Sequence, residues 1–226
     1  MRLNRRRFWL PEMEGAMARW YDRQRGTPDQ IKVYREQAVQ LTAGIPDGAR
    51  VLEVAPGPGY LAIEIARIGR FLVTGLDISQ TFVEIAAEHA RQAGVSVDFR
   101  HGDVAAMPFE PQSFDVIVCQ AAFKNFRRPV TAIDEMFRVL RPGGTAVIQD
   151  LRKDASSADI AEEVRKQGLR GLSAFITKRI LSGLRRRAYS SAQFERLVAE
   201  SAFRSGVIRA DGIGIEVRLT KTGSQP

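Results

Sequence analysis

The segment Val51-Leu52-Glu53-Val54-Ala55-Pro56-Gly57-Pro58-Gly59-Tyr60-Leu61-Ala62 constrains this chain more than any other. An apolar run ends on a carboxylate, turns through Gly and Pro, and opens into residues 61–68, whose apolar positions repeat at helical spacing. This is the pattern of a β-strand, a tight loop and a helix start, the unit from which ligand-binding corners of parallel α/β sheets are built. Gly57 and Gly59 free the backbone and leave room for a ligand where a Cβ would stand.

Residues 57–62 also satisfy the dinucleotide fingerprint G-x-G-x-x-G/A, a weak signal alone. Two neighbours argue against a pyrophosphate. Glu53 brings a negative charge to the strand end, and Pro56 and Pro58 remove N–H donors from the loop that would hold the phosphates. A carboxylate there suits a ligand with an ammonium group, and S-adenosylmethionine (SAM) carries one beside its sulfonium. The downstream sequence repeats the same architecture. Residues 71–76 predict a second strand ending in Asp77, 24 positions after Glu53, where an acid binds ribose hydroxyls in nucleotide-binding βαβ units. Residues 95–99 alternate as a third strand, after which Gly102-Asp103-Val104 offers a carboxylate and an amide. Residues 114–119 and 145–149 predict two more strands, the last entered through the turn Pro142-Gly143-Gly144. Three acids at three successive strand ends should gather on one rim of the sheet.

From Val51 to Asp150 the chain resembles the class I SAM-dependent methyltransferases, in particular the small-molecule branch of ubiquinone and menaquinone biosynthesis. The matching segments are VLEVAPGPG, GLDIS, HGDVAAMPF, FDVIVCQAAF and EMFRVLRPGGTAVIQD, in that order. The resemblance implies a three-layer Rossmann-like α/β sheet, mostly parallel with an antiparallel final strand pair, carrying helical lid segments. It implies that Glu53 and the Gly57/Gly59 loop face the methionine end of SAM. Asp77 would take the ribose, Ile78 would pack on adenine, and Gly102, Asp103 and Val104 would lie at the adenine edge. Gln120 and Ala121 would stand beside the methyl group. Two positions depart from the pattern. Ala55 replaces the loop's first glycine, and Phe123-Lys124-Asn125-Phe126 stands where many relatives carry a His pair.

One domain accounts for the 226 residues: a helical lid (1–45), a SAM-binding core (46–151), a helical insert (152–189), and a final helix with closing strands (190–226). The lid segment reads as helix from Glu12 to Leu41 with a break at Gly26-Thr27-Pro28-Asp29, and Met13, Met17, Trp20 and Tyr21 share one face. In the insert, Ile160, Val164, Leu172, Ile176, Ile180 and Leu184 recur at helical spacing, broken near Gly168 and Gly171, beside Lys178, Arg179 and Arg185–Arg187. Ser190 with Gln193 predicts a capped helix start. The one cysteine, Cys119, excludes an intrachain disulfide and reads as a small core hydrophobe. With no signal peptide or apolar run long enough to span a bilayer, the expected location is cytoplasmic. His89 reads as solvent-facing and His101 as a surface residue. No His/Cys cluster has metal-ligand spacing, so no metal site is expected.

The expected chemistry is transfer of a methyl group from SAM to a small-molecule acceptor by in-line displacement. Gln120, Lys124, Asn125 and Tyr21 are the polar candidates near the reacting methyl, with Lys124 the candidate base. Trp20, Tyr21 and Phe123 are the aromatic candidates for contact with the sulfonium or the acceptor. A net charge of +8 fits a solvated basic surface first, and otherwise an anionic or lipid-like acceptor or peripheral membrane contact through the basic insert. Nucleic acid is disfavoured: no RNA-binding module is appended, and Cys119-Gln120-Ala121-Ala122 lacks the Asn/Asp-Pro-Pro-aromatic motif of base-amine methylation. The competing readings are an NAD(P)-dependent oxidoreductase and a non-catalytic SAM-binding regulator or partner subunit.

Overall fold

A computed structural model describes residues 13–223 of the chain. The sheet is built from β1 (Arg50–Val54), β2 (Leu72–Asp77), β3 (Asp98–His101), β4 (Phe114–Gln120), β5 (Leu140–Leu151), β6 (Val207–Asp211) and β7 (Gly214–Thr220). Their order is β3-β2-β1-β4-β5-β7-β6. β1 to β5 run parallel, and β7 pairs antiparallel with both β5 and β6. The chain winds outward from β1 through β3 and then returns to place β4 on the other side of β1. That reversal opens a crevice beyond the carboxyl ends of β1 and β4, the place where open α/β sheets bind ligands.

The strand sequences cause both faces to be covered. In β4, Val116 and Val118 face one apolar layer while Ile117 and Cys119 face the other, and β1 and β5 alternate likewise. Strands buried on both faces read as continuous apolar runs for this reason. One layer holds α2 (Pro28–Thr42) and α3 (Tyr60–Arg67); the other holds α5 (Pro129–Val139) and α8 (Ser191–Glu200). α1 (Gly15–Arg25) lies against α4 (Gln80–Ala93). The Ser190 cap of α8 forms as its sequence predicts, with a reciprocal bond from Gln193.

Several expectations need correction. The third strand begins at Asp98 rather than Val95, because Gly94 ends α4 in the left-handed conformation and Val95 N–H still bonds back to Ala90. The fifth strand begins at Leu140 and absorbs the Pro-Gly-Gly turn as a bulge between its pairings with Phe114 and Val116. The face shared by Met13, Met17, Trp20 and Tyr21 is not a buried one: α1 buries only Ala18, and Met17 and Trp20 are exposed. Hydrogen bonds hold α1 instead. Glu14 accepts from the N–H groups of Gln80 and Thr81 at the start of α4, and Ser79 Oγ donates to Met13 O at 2.8 Å.

The insert is broken where its sequence predicts, near Gly168 and Gly171. It forms α6 (Ser157–Lys166) and α7 (Gly171–Arg185). Ile160 and Val164 are buried, whereas α7 buries no residue. Gly168 and Gly171, both at positive φ, redirect the chain between the helices, so the apolar positions of one do not continue those of the other.

Candidate cofactor pocket at the strand-order reversal

The β1–α3 loop is shaped by three left-handed residues, Ala55, Gly57 and Gly59, at φ of 56°, 55° and 81°. Ala55 carries a Cβ into a region that disfavours one, and its N–H bond to Leu76 O at 2.7 Å helps hold it there. At Gly59 a Cβ would stand 2.7 Å from Ala86 Cβ and from the Phe99 ring, so only glycine fits. Across the crevice, Ala121 follows β4 at φ 55°, its N–H bonded to Gln149 O at 2.7 Å. Strained backbone thus flanks both sides of the opening. Such strain, held in place by surrounding structure, is a mark of functional sites.

Between these loops lies a cavity of about 130 Å³. Glu53, Ala55, Gly57, Gln120, Ala121 and Asn125 line it from the sheet side, and Tyr21 and Arg25 close it from α1. Glu53 is its most unusual wall. The residue is 3% exposed, and one carboxylate oxygen, Oε2, has no hydrogen-bond partner. Burial pushes Glu53 up to about 8; a backbone N–H from Ala62 opposes the shift and the nearby Asp77 carboxylate adds to it. An orphaned buried carboxylate oxygen costs free energy unless a cation or donor arrives.

Asp77 plays a part beyond the one its position suggested. Its two carboxylate oxygens accept the N–H groups of Gly57 and Ser79, each at 2.9 Å, so it fastens the glycine loop to the end of β2. Burial raises its pKa while these two bonds lower it. The other candidates for the adenine side sit outside the cavity. Ile78 is 39% exposed, and Gly102 donates its N–H to Asp77 O at 2.8 Å. Asp103 accepts from Ala105 N–H and pairs with Arg128 at 3.0 Å on the surface, while Val104 packs against the core.

The four polar candidates for the reacting end divide. Gln120, Asn125 and Tyr21 line the cavity and Lys124 does not. Lys124 is buried, its Nζ 2.8 Å from Asp150 Oδ1 and also donating to Ala121 O, and its own N–H bonds to Asp150 Oδ2 at 2.9 Å. The reading of Lys124 as a base is therefore corrected: its ammonium is committed to Asp150 at the end of β5, and the pair holds the Ala121 turn. Phe123 is corrected too, being fully buried among Phe126, Tyr189 and Phe194 at centroid distances of 5.1–5.6 Å. Trp20 does not line the cavity and is 55% exposed. His89 is not solvent-facing: its ring stacks on Tyr60 at 4.9 Å and its Nδ1 lies 3.0 Å from Pro58 O. His101 is exposed as expected, its Nε2 3.0 Å from Ile78 O. Cys119 is buried, and burial pushes its thiol well up. No cluster of potential metal ligands occurs among the described residues.

Arg25, Tyr34 and Tyr60 complete the pocket and were not singled out by sequence. Arg25 Nε donates to the Tyr34 hydroxyl at 2.9 Å, and its guanidinium lies 5.5 Å from the Tyr34 ring centroid and 5.9 Å from that of Tyr21. Tyr60 donates to Asp22 at 2.7 Å and stacks on Tyr34, which ties α1 and α2 to the start of α3. Gly26, just after α1, allows the close approach: a Cβ there would meet Tyr60 Oη at 2.3 Å. The available signal was a basic residue immediately before a helix-ending glycine. Such a pair also occurs on ordinary surfaces.

Comparison with known proteins agrees with this architecture. Residues 52–148 match the family described as a methyltransferase domain. These residues are a methyltransferase domain. The chain is 35% identical over 123 residues to a demethylmenaquinone methyltransferase of Deinococcus radiodurans, an alignment covering 54% of this chain and 50% of that protein. It is 31% identical over 110 residues to a ubiquinone biosynthesis O-methyltransferase of Roseobacter denitrificans, covering 49% of this chain and 44% of that protein. The chain thus spans about half the length of the curated relatives it matches. A solved structure of a putative SAM-dependent methyltransferase from Methanococcus maripaludis superimposes with a TM-score of 0.72 at 22% identity, over 100% of this chain and 99% of that one. The methyltransferase domain therefore has the expected fold: Rossmann-like, mostly parallel, with the antiparallel β7 beside β5. No helix among the described residues is long and apolar enough to cross a membrane.

Proposed function

We propose that this protein transfers the methyl group of SAM to a small-molecule acceptor. The observation that carries the reading is an unpartnered buried acid and a guanidinium lining one small cavity. The unpartnered Glu53 oxygen suits an α-ammonium, and Arg25 on the facing wall suits an α-carboxylate. Ligand pockets for whole cofactors usually exceed about 300 Å³, so a cavity near 130 Å³ fits the amino-acid end of SAM. The remainder would lie along the rim past Asp77 toward Ile78 and Asp103. Pro56 and Pro58 weigh against a pyrophosphate and hence against the oxidoreductase alternative.

When bound, SAM supplies a methyl already activated on a sulfonium. The protein then has three tasks: to orient the donor, to hold the acceptor in line, and to keep water out. Glu53, Arg25 and the Gly57 loop do the first. Gln120 and Asn125, neutral amides on the cavity wall, orient an acceptor oxygen and do not remove its proton, so an acidic phenol or enol is the suitable nucleophile class. The names of the two relatives support a quinone-type acceptor. Tyr21 on α1 closes the cavity on the side facing the sheet. On this reading residues 13–45, 46–151, 152–189 and 190–223 are lid, SAM core, insert and closing unit of one domain, and residues 1–12 and 224–226 of the expected segments lie outside the described residues.

Calorimetric titration with SAM, S-adenosylhomocysteine and NADH tests the cofactor, and transfer of labelled methyl to a panel of hydroxylated and demethylated quinones tests the acceptor. Micromolar SAM binding with transfer to a quinol is the expected result. Binding of NADH with no affinity for SAM would overturn the assignment. SAM binding without transfer to any acceptor would favour a regulator.

A further inference from the structure

α7 is a 15-residue helix with no buried residue. Leu172, Phe175, Ile176 and Ile180 are 74%, 60%, 47% and 56% exposed. At about 100° per residue they fall within one arc of the helix surface. A helix of this composition that covers no core and presents a bulky apolar ridge lacks its partner. The charge around it is equally one-sided. Residues 164–194 contain eight Lys or Arg and no Asp or Glu, a local excess equal to the +8 of the whole chain. Lys178, Arg179, Arg185, Arg186 and Arg187 form no ion pair among the described residues. Arg179 lies within the apolar arc, where a long stem can follow the ridge while the guanidinium reaches a polar layer.

We infer that α7 docks on an anionic lipid bilayer, lying in the interfacial plane with Leu172, Phe175, Ile176 and Ile180 in the acyl boundary and its arginines and Lys178 among phosphate headgroups. The combination selects lipid over the other polyanions. A nucleic acid answers the charge and leaves four exposed aliphatic and aromatic side chains uncovered, whereas a bilayer answers both. The docking is independent of methyl transfer, since none of these residues lines the cofactor cavity. Its consequence is positional. The insert leaves from the carboxyl end of β5, the sheet edge on which the cavity opens, so docking would bring that rim to the membrane.

Vesicle flotation of the full chain tests the inference without substrate. Vesicles of phosphatidylcholine alone should retain little protein, and vesicles with one-third phosphatidylglycerol should retain most of it. The triple variant K178E/R179E/R186E should partition at least about 100-fold more weakly, on a scale of roughly fivefold per basic residue. F175S/I176S/I180S should also lose roughly 100-fold, since each removes apolar area from the interface. All six positions are exposed, so thermal melting and SAM affinity should match the parent. Phe175→Trp in the otherwise unchanged chain gives a readout that does not depend on the multiple variants: its emission should shift to the blue and be quenched by brominated anionic lipid. Equal retention on neutral and anionic vesicles, undiminished partition of the serine variant, or binding of an oligonucleotide in place of vesicles would each overturn the inference.

Discussion

Glu53 offers the sharpest test, because its isolation couples folding, cofactor binding and pH. In the unfolded chain it ionises near its ordinary 4.5, and in the folded protein burial holds its proton to about 8. Between those values the unfolded state binds fewer protons, so the folded state loses stability as pH rises and the loss levels off above 8. At about 1.4 kcal/mol per pH unit, the loss between pH 4.5 and 7 is about 3 kcal/mol. Glu53→Gln removes this dependence. Urea melts at pH 5 and pH 7 should show the variant gaining about 2–3 kcal/mol on its parent over that interval. Cofactor binding should reverse the cost. An ammonium against Oε2 favours the ionised carboxylate, so binding at pH 7 should expel close to one proton from a group that is about nine-tenths protonated. Calorimetry with SAM in phosphate and in Tris reads that proton as a difference in apparent enthalpy. Proton release absent from the parent, or unchanged in Glu53→Gln, would refute the placement of the ammonium.

Arg25→Met should raise the Kd for SAM by roughly 10–100-fold, the range for one charge-assisted hydrogen bond, while thermal melting moves little; unchanged calorimetric affinity would remove Arg25 from the site. Lys124→Met leaves Asp150 buried without its cation and should cost about 3–5 kcal/mol in urea unfolding, and a variant as stable as its parent would contradict the pairing. Asp77→Ala should weaken SAM binding by one to two orders of magnitude on the same hydrogen-bond scale, and it should also speed amide exchange at Gly57, whose N–H loses its acceptor.

Much of the architecture was legible because it rests on local rules. Continuous apolar runs marked β1 and β4, the Gly-Pro loop marked the turn into α3, and Ser190 with Gln193 marked the start of α8. The acids at the ends of β1 and β2 were visible for the same reason, and so was the cofactor class. The places where reading failed share a cause. Lys124 follows Gln120 closely and looked free to act, yet Asp150 reaches it from the neighbouring strand. Phe123 looked available to a cation until α8 brought Phe194 against it. Gly94 and Val95 belonged to a helix cap, which displaced the third strand.

Local pattern by itself determined which segments become strand, turn or helix, since hydrogen bonding within a turn and alternation across a pleat need only neighbouring residues. Tertiary structure alone decided which charged and aromatic groups are used up by partners. Glu53 became an unpaired acid because the strands around it exclude water. Arg25 became a pocket wall because Tyr34 and Tyr60 draw α1 over the crevice. α7 kept its apolar ridge because no element among the described residues buries it. Burial and ion pairing are made by elements distant along the chain, and a side chain's chemistry follows from them more than from its position in sequence.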